Sequence, residues 1–482
     1  MEKIGIIGGG FSGTMAAVHL IKNAKEPVEI SIIEEKEVFN KGIAYNPYSK
    51  LQLLNVMAAR MSAFADKPDD FVNWVLNRKQ FNGYDKELVG NSYLPRYLYG
   101  NYIVDIWKDA EKEAAKKNIK INVIHDYVID LENTDKSVTL WLFNDKKINV
   151  DKCIIATGNA VPGNTGIKNM NFYKSASYFQ NPWKEDSVTN VDKSKPVLII
   201  GNGLTMVDTV IGLLEKGFDN DIYSISPNGF NILPHRHNGL KYSKLVEELP
   251  EIFSLNELVS LFNKHIKIVR TLGISAEPLI DSIRPYTQKI WQSLSNDEKR
   301  KFMFRLRHLW GVARHRIPLH IHDRLQQLRV DSKLHIISGK INDIIEKDGS
   351  IKVSYYDKKN HKFNELEPGR IINCTGPETD LMKLDKSFLK NCLLKGILTQ
   401  DDLKLGINAD PNSFRIIDKE GNKLKNIYTI GSNLKGIFWE STAVNELRAQ
   451  AEKLSEILLS SEMIDNTKVL SPDAKDLQSF GI

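Results

Sequence analysis

Three glycines near the N-terminus have the spacing that brings a backbone close to a phosphate group. Gly8, Gly10 and Gly13 directly follow the short apolar run 3–7, and the residues after them have helical spacing. In a strand–turn–helix unit, the first glycine permits the tight turn and the second lets the backbone approach a diphosphate. The third lets helix and strand pack closely. The helix N-terminus then offers amides and a positive dipole end to the diphosphate.

An acidic pair ends the next strand. Residues 28–33 alternate as a β-strand and lead into Glu34 and Glu35. An acid about 20 residues after such a turn accepts hydrogen bonds from the ribose hydroxyls of a dinucleotide. Glu34 is the first candidate and Glu35 the alternative. With Ser12 in the turn itself, these residues predict a dinucleotide site.

A second glycine turn lies in the middle of the chain. Gly201 and Gly203 follow the apolar strand 196–200 and precede a helix, and Thr205 lies in its first turn. Met206 takes the place of the third glycine, so this fingerprint is degraded. Pyridine-nucleotide binding is the favoured interpretation, and a nucleotide fold that has lost its ligand is the alternative.

Each unit is followed by a similar passage of strands. The passage 121–158 ends with Thr157 and Gly158, and the passage 334–376 repeats the same plan. This duplication predicts an α/β fold with two Rossmann-like dinucleotide-binding domains. Thr157 and Gly158 become candidate cofactor contacts at the end of their strand.

Short strings of residues along nearly the whole chain resemble a bacterial family of FAD/NAD(P)-binding proteins. The strings are Gly42-Ile-Ala-Tyr45, Leu53-Leu-Asn-Val56 with Met61-Ser62, Leu94-Pro-Arg96 with Tyr99-Gly100, Gly203-Leu-Thr-Met-Val-Asp208, Arg314-His-Arg316, and Trp439-Glu-Ser-Thr-Ala443 with Arg448. The two-unit plan is similar to that of glutathione reductase and of the flavin-containing and N-hydroxylating monooxygenases. The resemblance implies FAD and NAD(P)H as cofactors, but it fixes no substrate.

This architecture divides the chain into three ranges. Residues 1–185 form the first part of the FAD-binding domain, 186–376 the NAD(P)-binding domain, and 377–482 the second part of the FAD-binding domain. A largely helical stretch, 238–330, reads as an insertion in the middle range.

The resemblance extends the cofactor site to two further regions. Asn55, Arg60 and Ser62 lie where a loop of the first domain would cross the flavin ring or the diphosphate. Gly431 and Ser432 end the last strand, where many relatives have Gly-Asp and the aspartate holds the ribityl chain. We expect that contact to be weaker or to be made differently here.

Ser441 and Thr442 begin the C-terminal helix. Helix N-termini at this point of the architecture face the flavin pyrimidine and stabilise its negative charge. The same two residues are also ordinary N-caps. The cofactor and capping interpretations coincide.

The strand after the second turn ends without the arginine that usually accepts the 2′-phosphate of NADP. Pro227 and Asn228 stand there, so we expect little selectivity between NADH and NADPH. Arg236, in the next loop, is the first substitute.

The insertion carries candidate catalytic residues. Arg314 and Arg316 present planar forks suited to a carboxylate or phosphate, and we expect them to bind an anionic group near the flavin. The alternative is that they brace the insertion against the nucleotide domain. His235 and His237 are candidates near the nicotinamide, although histidines in surface loops are commoner.

Composition excludes several classes of protein. The formal charge of +6 is dispersed, which gives no support for nucleic-acid binding. No apolar stretch approaches the roughly 18 residues of a membrane span. Cys153, Cys374 and Cys392 are far apart, so the sequence predicts neither a metal site nor a redox disulfide. These features favour a soluble cytoplasmic protein. The partner expected from Arg314 and Arg316 is a small, anionic molecule, and the protein acts either as a monomer or as a homo-oligomer.

The absence of a redox cysteine pair disfavours a disulfide reductase. We expect an NAD(P)H-dependent monooxygenase that hydroxylates nitrogen or sulfur in a small molecule. One alternative is a flavoprotein reductase that passes electrons to a partner. The other is a nucleotide-binding module without catalysis.

Overall fold

The computed structural model describes residues 1–236, 241–251, 253–385 and 387–460. The β-strands are β1 Glu2–Ile7, β2 Val28–Glu34, β3 Lys120–His125, β4 Val128–Asn133, β5 Val138–Leu142, β6 Lys147–Val150, β7 Lys152–Ile155, β8 Tyr178–Phe179, β9 Val197–Ile200, β10 Ile222–Ser226, β11 Leu334–Lys347, β12 Ser350–Asp357, β13 Lys362–Leu366, β14 Arg370–Asn373, β15 Arg415–Ile417 and β16 Lys423–Thr429. The α-helices are α1 Phe11–Asn23, α2 Asp70–Leu76, α3 Lys86–Gly90, α4 Arg96–Lys116, α5 Leu204–Glu215, α6 Lys244–Glu247, α7 Leu255–Thr271, α8 Glu277–Ile283, α9 Thr287–Ser293, α10 Asn296–Arg305, α11 Arg307–Arg314, α12 Leu319–Val330, α13 Phe388–Lys395, α14 Lys435–Phe438 and α15 Val444–Leu459.

The first sheet joins the two ends of the chain. Its strand order is β15-β16-β7-β1-β2-β3, and every neighbouring pair except β15–β16 is parallel. The apolar run of β1 is central, with Ile4 and Ile6 fully buried. Helices α1, α4 and α15 cover one face, while β4, β5 and β6 form a separate antiparallel sheet.

The second sheet has the order β13-β12-β11-β10-β9-β14-β8. Its parallel part comprises β11, β10, β9, β14 and β8, and β12 and β13 extend it as an antiparallel hairpin. Because β8 is already part of this sheet, the second unit begins before the predicted boundary between 185 and 186. The protein therefore has an α/β fold with two Rossmann-like units, as the sequence predicts.

The helical stretch predicted as an insertion, 238–330, includes helix α12, which belongs to the second nucleotide fold. Helix α12 packs against the second sheet, since Leu325 and Leu328 share a buried cluster with Val197 and Ile222. It is therefore the crossover helix of the nucleotide fold. Helices α6 to α11 form the inserted layer with separate small clusters.

Two further features concern only the described residues. In that part of the chain, no helix is both long and apolar enough to cross a membrane. Nor do three or more His, Cys, Asp or Glu side chains gather there into a group that could hold a metal ion.

His19 is a buried polar residue of α1 in the core of the first domain, and it makes the stability of the protein depend on pH. It is 1% exposed, and neither ring nitrogen has a hydrogen-bond partner among the described residues. Burial, reinforced by Lys22, lowers its pKa to about 4. The unfolded chain therefore binds the proton more readily, so stability is full above pH 6.5 and decreases as the pH falls toward 4.

We expect His19→Leu to raise the free energy of unfolding at neutral pH by about 1 kcal/mol, because a buried ring without partners is replaced by an apolar group. The substitution should also remove up to about 3 kcal/mol of the decrease in unfolding free energy that the unaltered protein shows on acidification. Denaturant titrations at pH 7 and pH 5 measure both effects. His125→Leu, at an exposed position in β3, is the control. An unchanged pH dependence in His19→Leu would contradict the prediction.

Candidate functional site

The first glycine turn packs directly on the neighbouring strands. Gly8 has φ +103°, and its amide donates to the Ile33 carbonyl at 2.8 Å. A Cβ at Gly8 would lie 2.4 Å from the Ala156 carbonyl oxygen, and one at Gly13 would lie 1.9 Å from the Gly8 oxygen. Both glycines are therefore required by the fold itself.

Gly10 is different, because its open side does not face closely packed protein. It is the N-cap of α1, and no side chain in the described ranges caps the helix there. A Cβ would lie 3.4 Å from the Gly42 Cα, which is an ordinary contact. The amide end of α1 is therefore available to an anionic ligand.

Glu34 lies against this turn. Its Oε2 accepts from the Gly9 amide at 2.7 Å and its Oε1 from the Lys36 amide at 3.0 Å. Glu35 is exposed. The structure thus places Glu34, the first candidate, at the turn, and its contact with a ribose stays a prediction.

The two ends of the chain meet at Gly431. This residue has φ +81°, and a Cβ there would lie 2.9 Å from the Ser12 hydroxyl of α1. Its carbonyl accepts from the Ser441 hydroxyl at 2.6 Å, and its amide donates to Gln450 Oε1 at 3.0 Å. Gln450 Nε2 in turn donates to Ser441 at 2.7 Å. Ser12 from the N-terminal helix and two residues that follow Gly431 in the chain, Ser441 and Gln450, thus surround this turn.

Ser432 and Asn433 complete this region. The Ser432 hydroxyl is buried without a hydrogen-bond partner among the described residues. Buried hydroxyls normally have a partner, so this group fits a polar ligand chain. Asn433, which the sequence analysis missed, donates to the half-buried Thr157 hydroxyl at 3.2 Å. Its position directly after the predicted Gly431-Ser432 pair could have marked Asn433 as a site residue. Gly158 is exposed, with φ +71°.

Other candidates lie apart from the turn. Ser62 is fully buried, and its hydroxyl donates to the Lys67 carbonyl at 2.6 Å, so it stabilises its own loop and has no surface for a cofactor. Arg448 supports the same loop from α15, donating to the Ser62 carbonyl at 2.9 Å. Arg60 and Thr442 are exposed.

The second glycine turn repeats the geometry of the first. Gly201 has φ +106°, its amide donates to the Ile225 carbonyl at 2.8 Å, and a Cβ would lie 2.4 Å from the Cys374 carbonyl oxygen. Gly203 is the N-cap of α5, and no neighbouring atom of the described chain lies within 4 Å of a Cβ built there. This helix end is also open to an anion.

Met206, in place of the third glycine, is 3% exposed and packs in the core of the second unit. The substitution thus fills core volume without closing the open helix end at Gly203. The Thr205 carbonyl accepts from the Thr209 hydroxyl at 2.8 Å inside α5.

Asp208 connects the two domains. Its Oδ2 lies 2.9 Å from Arg96 Nη1, and both side chains are at most one-fifth exposed. Arg96 also donates through Nε to the Leu53 carbonyl at 2.9 Å. Burial raises the pKa of Asp208, and Arg96 opposes that shift. Three of the strings that carry the family resemblance thus meet at this brace between the domains.

Side chains of the insertion bind the segment that precedes α15. Glu440, 8% exposed, accepts from Trp310 Nε1 at 3.0 Å and from Arg314 Nε at 3.1 Å. Burial opposes the Arg314 charge, but Glu440 and Glu446 hold its pKa above the ordinary value. Arg316 is paired with Asp281 of α8. Both arginines thus have carboxylate partners, Arg314 in the segment before α15 and Arg316 within the insertion itself, and neither pair joins the insertion to the nucleotide domain. Their predicted role in binding an anion stays a prediction.

Trp439 lies in the same contact and has a strained backbone. Its φ of +56° and ψ of −62° form a γ-turn in which the Glu440 amide donates to the Phe438 carbonyl at 2.6 Å. Trp291 of the insertion stacks on its ring at 4.9 Å and donates to the Gly436 carbonyl at 2.7 Å. Such strain persists only where the surroundings hold it in place.

His235 links the nucleotide domain to the first domain. Its Nε2 lies 2.9 Å from the Asn55 carbonyl oxygen, and its ring stacks on Tyr93 at 5.0 Å. Burial and Arg316 lower its pKa to about 4, so it is neutral at physiological pH and donates through Nε2. His237 lies outside the described residues.

The two sheets and their glycine turns give the chain a two-dinucleotide-domain fold. Residues 5–160 match the family described as FAD-NAD(P)-binding, so the first unit is an FAD/NAD(P)-binding domain. No curated protein matches the chain.

Solved structures match over nearly the full length. L-lysine 6-monooxygenase from Pseudomonas syringae is 13% identical, with a TM-score of 0.63 over 95% of this chain and 99% of that one. The ornithine N-hydroxylase of Kutzneria sp. 744, solved with reduced FAD, NADP+ and L-ornithine, is 13% identical, with a TM-score of 0.62 over 95% and 98%. The FAD-bound cadaverine monooxygenase DfoA from Erwinia amylovora is 10% identical, with a TM-score of 0.62 over 97% and 98%. At these identities the likeness establishes the fold.

Proposed function

We propose that the protein is an FAD- and NAD(P)H-dependent monooxygenase that hydroxylates a heteroatom, in the first place an amine nitrogen, of a small molecule. The observation that carries the proposal is the full-length likeness to three amine-hydroxylating enzymes, combined with two open helix N-termini at the glycine turns. In the overall reaction, amine, dioxygen, NAD(P)H and a proton give hydroxylamine, water and NAD(P)+.

The residues at the first turn fit FAD. The open face of Gly10 and the N-terminus of α1 would receive the diphosphate, and Glu34 the adenosine ribose. The unpartnered Ser432 hydroxyl would meet the ribityl chain in place of an aspartate. When bound, FAD supplies the hydride acceptor and the oxygen chemistry, which the side chains do not provide.

The cysteines support oxygen chemistry over disulfide reduction. All three are in the described part of the chain, and each is a buried free thiol. Burial raises the pKa of Cys374 and of Cys392 to about 12, and that of Cys153 also rises. A protonated, inaccessible thiol is a poor nucleophile for a disulfide substrate.

An anaerobic titration followed by a product assay tests the proposal. The purified protein should show a flavin spectrum that NADH or NADPH bleaches. Air and a diamine or basic amino acid should then yield one hydroxylamine per nicotinamide oxidised. Reduction that requires an added electron acceptor would favour a reductase, and bound FAD that no nicotinamide bleaches would favour a binding module. Either result would overturn the monooxygenase proposal.

Gly203→Asp separates the two nucleotide sites. The side chain enters open space at the N-cap of α5, where aspartate stabilises a helix, so the fold should be retained. Its charge would repel a nucleotide diphosphate. We expect full FAD content and loss of flavin reduction by either nicotinamide, measured by absorbance and stopped flow. Unimpaired reduction would show that this turn does not bind the reductant.

A further inference from the structure

The carboxyl end of β10 is where an adenosine ribose lies in a dinucleotide fold. The residues that follow, Ser226 to Gly229, contain no cation. Gly229 has φ +58°, and a Cβ there would lie 2.8 Å from the Ser338 Cβ, so this turn packs against β11. Arg236, the substitute that the sequence suggests, has its Nε 3.8 Å from Glu277 Oε1 in the insertion. Its charge therefore has a carboxylate partner in the insertion.

A different cation occupies this position. The exposed side chain of Lys358, just after β12, donates through Nζ to the Pro227 carbonyl at 2.7 Å. Its backbone amide donates to the Ser338 carbonyl at 2.8 Å, which fixes it beside the same turn. Within the described ranges Lys358 has no carboxylate partner. Its positive charge is thus available at the end of β10.

Lys358 also lines a cleft of about 500 Å³ beside the hairpin of β11 and β12. Lys168 and Lys340 contribute two further ammonium groups to this cleft. Tyr356 and Phe363 add neighbouring aromatic rings, 5.2 Å apart, and Phe363 is 70% exposed. Three cations beside these two rings suit a phosphorylated nucleoside.

We propose that Lys358, assisted by Lys340, binds the 2′-phosphate of NADPH and makes NADPH the preferred reductant. This inference rests on the proposed function and specifies its nucleotide. It replaces the expectation of little selectivity, because the cation comes from the hairpin, more than a hundred residues beyond the β10 end. A charged hydrogen bond to phosphate corresponds to about a tenfold to hundredfold difference in affinity.

Calorimetric titration of the holoenzyme with two fragments tests the inference without turnover. Adenosine 2′,5′-bisphosphate should bind at least tenfold more tightly than adenosine 5′-monophosphate. Lys358→Ala should bring the two affinities to near parity by weakening only the bisphosphate, and Lys358→Arg should retain much of the difference. Lys352→Ala is the matched control, since this exposed lysine of β12 pairs with Glu365. Arg236→Ala should also leave the ratio unchanged.

The outcomes separate this inference from the proposed function. Equal binding of both fragments to the unaltered protein would overturn the role of Lys358, while nicotinamide-driven hydroxylation could still stand. A ratio that survives Lys358→Ala but falls in Arg236→Ala would transfer the site to Arg236 and overturn the inference as well. If the protein distinguishes the two fragments through Lys358 but hydroxylates no amine, the proposed reaction is wrong and the inference about Lys358 stands.

Discussion

Replacing Gly10 with alanine should give a folded protein that purifies without most of its FAD. The new Cβ lies 3.4 Å from Gly42, so the protein itself tolerates it. The methyl group nevertheless occupies the face through which the backbone approaches the diphosphate. Each charged hydrogen bond lost there costs about 1.5–3 kcal/mol, so two would lower affinity at least a hundredfold. The ratio of flavin to protein absorbance measures the loss, and circular dichroism checks the fold.

Two matched variants sharpen this test. Gly13→Ala should fail to fold, since its Cβ would lie 1.9 Å from the Gly8 carbonyl oxygen. Glu34→Ala should weaken FAD binding more modestly, although it also frees the Gly9 and Lys36 amides from their carboxylate. If Gly10→Ala retains full flavin occupancy, the assignment of FAD to this turn is wrong.

Glu440→Ala should lower the free energy of unfolding by about 3–5 kcal/mol, because it leaves the buried Arg314 charge without its carboxylate partner and Trp310 without its acceptor. Denaturant unfolding of the FAD-loaded protein measures the change. Asp297→Ala removes a carboxylate from an exposed pair with Arg300 in the same insertion, and should cost less than 1 kcal/mol.

The same variant separates the two interpretations of Arg314. If Arg314 braces the insertion, Glu440→Ala and Arg314→Ala should destabilise by similar amounts, and the double variant should cost little more than either alone. Additive losses would show that the two side chains do not act as a pair. Full stability of Arg314→Ala with lost turnover would instead support the anion site.

Local patterns predicted most of the fold. The strand–turn–helix units at Gly8 and Gly201 were predicted correctly because each depends on neighbours within about 25 residues. The prediction extended the insertion too far because α12 has the same polar helical composition as the helices before it. Only its contacts with the second sheet distinguish it. The short β8 was missed because two residues carry no periodicity.

The site was less predictable because its contacts join distant residues. Ser441 and Thr442 look equally suited as N-caps in the sequence, but that prediction is wrong, because α15 begins at Val444 with Ala443 as its N-cap. The Ser441 hydroxyl is instead buried against Gly431, and Thr442 is exposed. The cation of Lys358 could not be placed at Pro227 without the register of the β11–β12 hairpin. Likewise, no local pattern pairs Arg96 with Asp208 or Arg314 with Glu440.

The insertion follows a strand of the second sheet in the chain, yet it contacts the first domain. Its Trp291 and Trp310 donate hydrogen bonds to Gly436 and Glu440. The insertion is therefore joined to the second sheet through the chain and to the first domain through hydrogen bonds. The Arg96–Asp208 ion pair is a further contact between the two domains. A hinge motion that opened the space between the domains would therefore have to break the contacts of the insertion with Gly436 and Glu440 together with the Arg96–Asp208 pair.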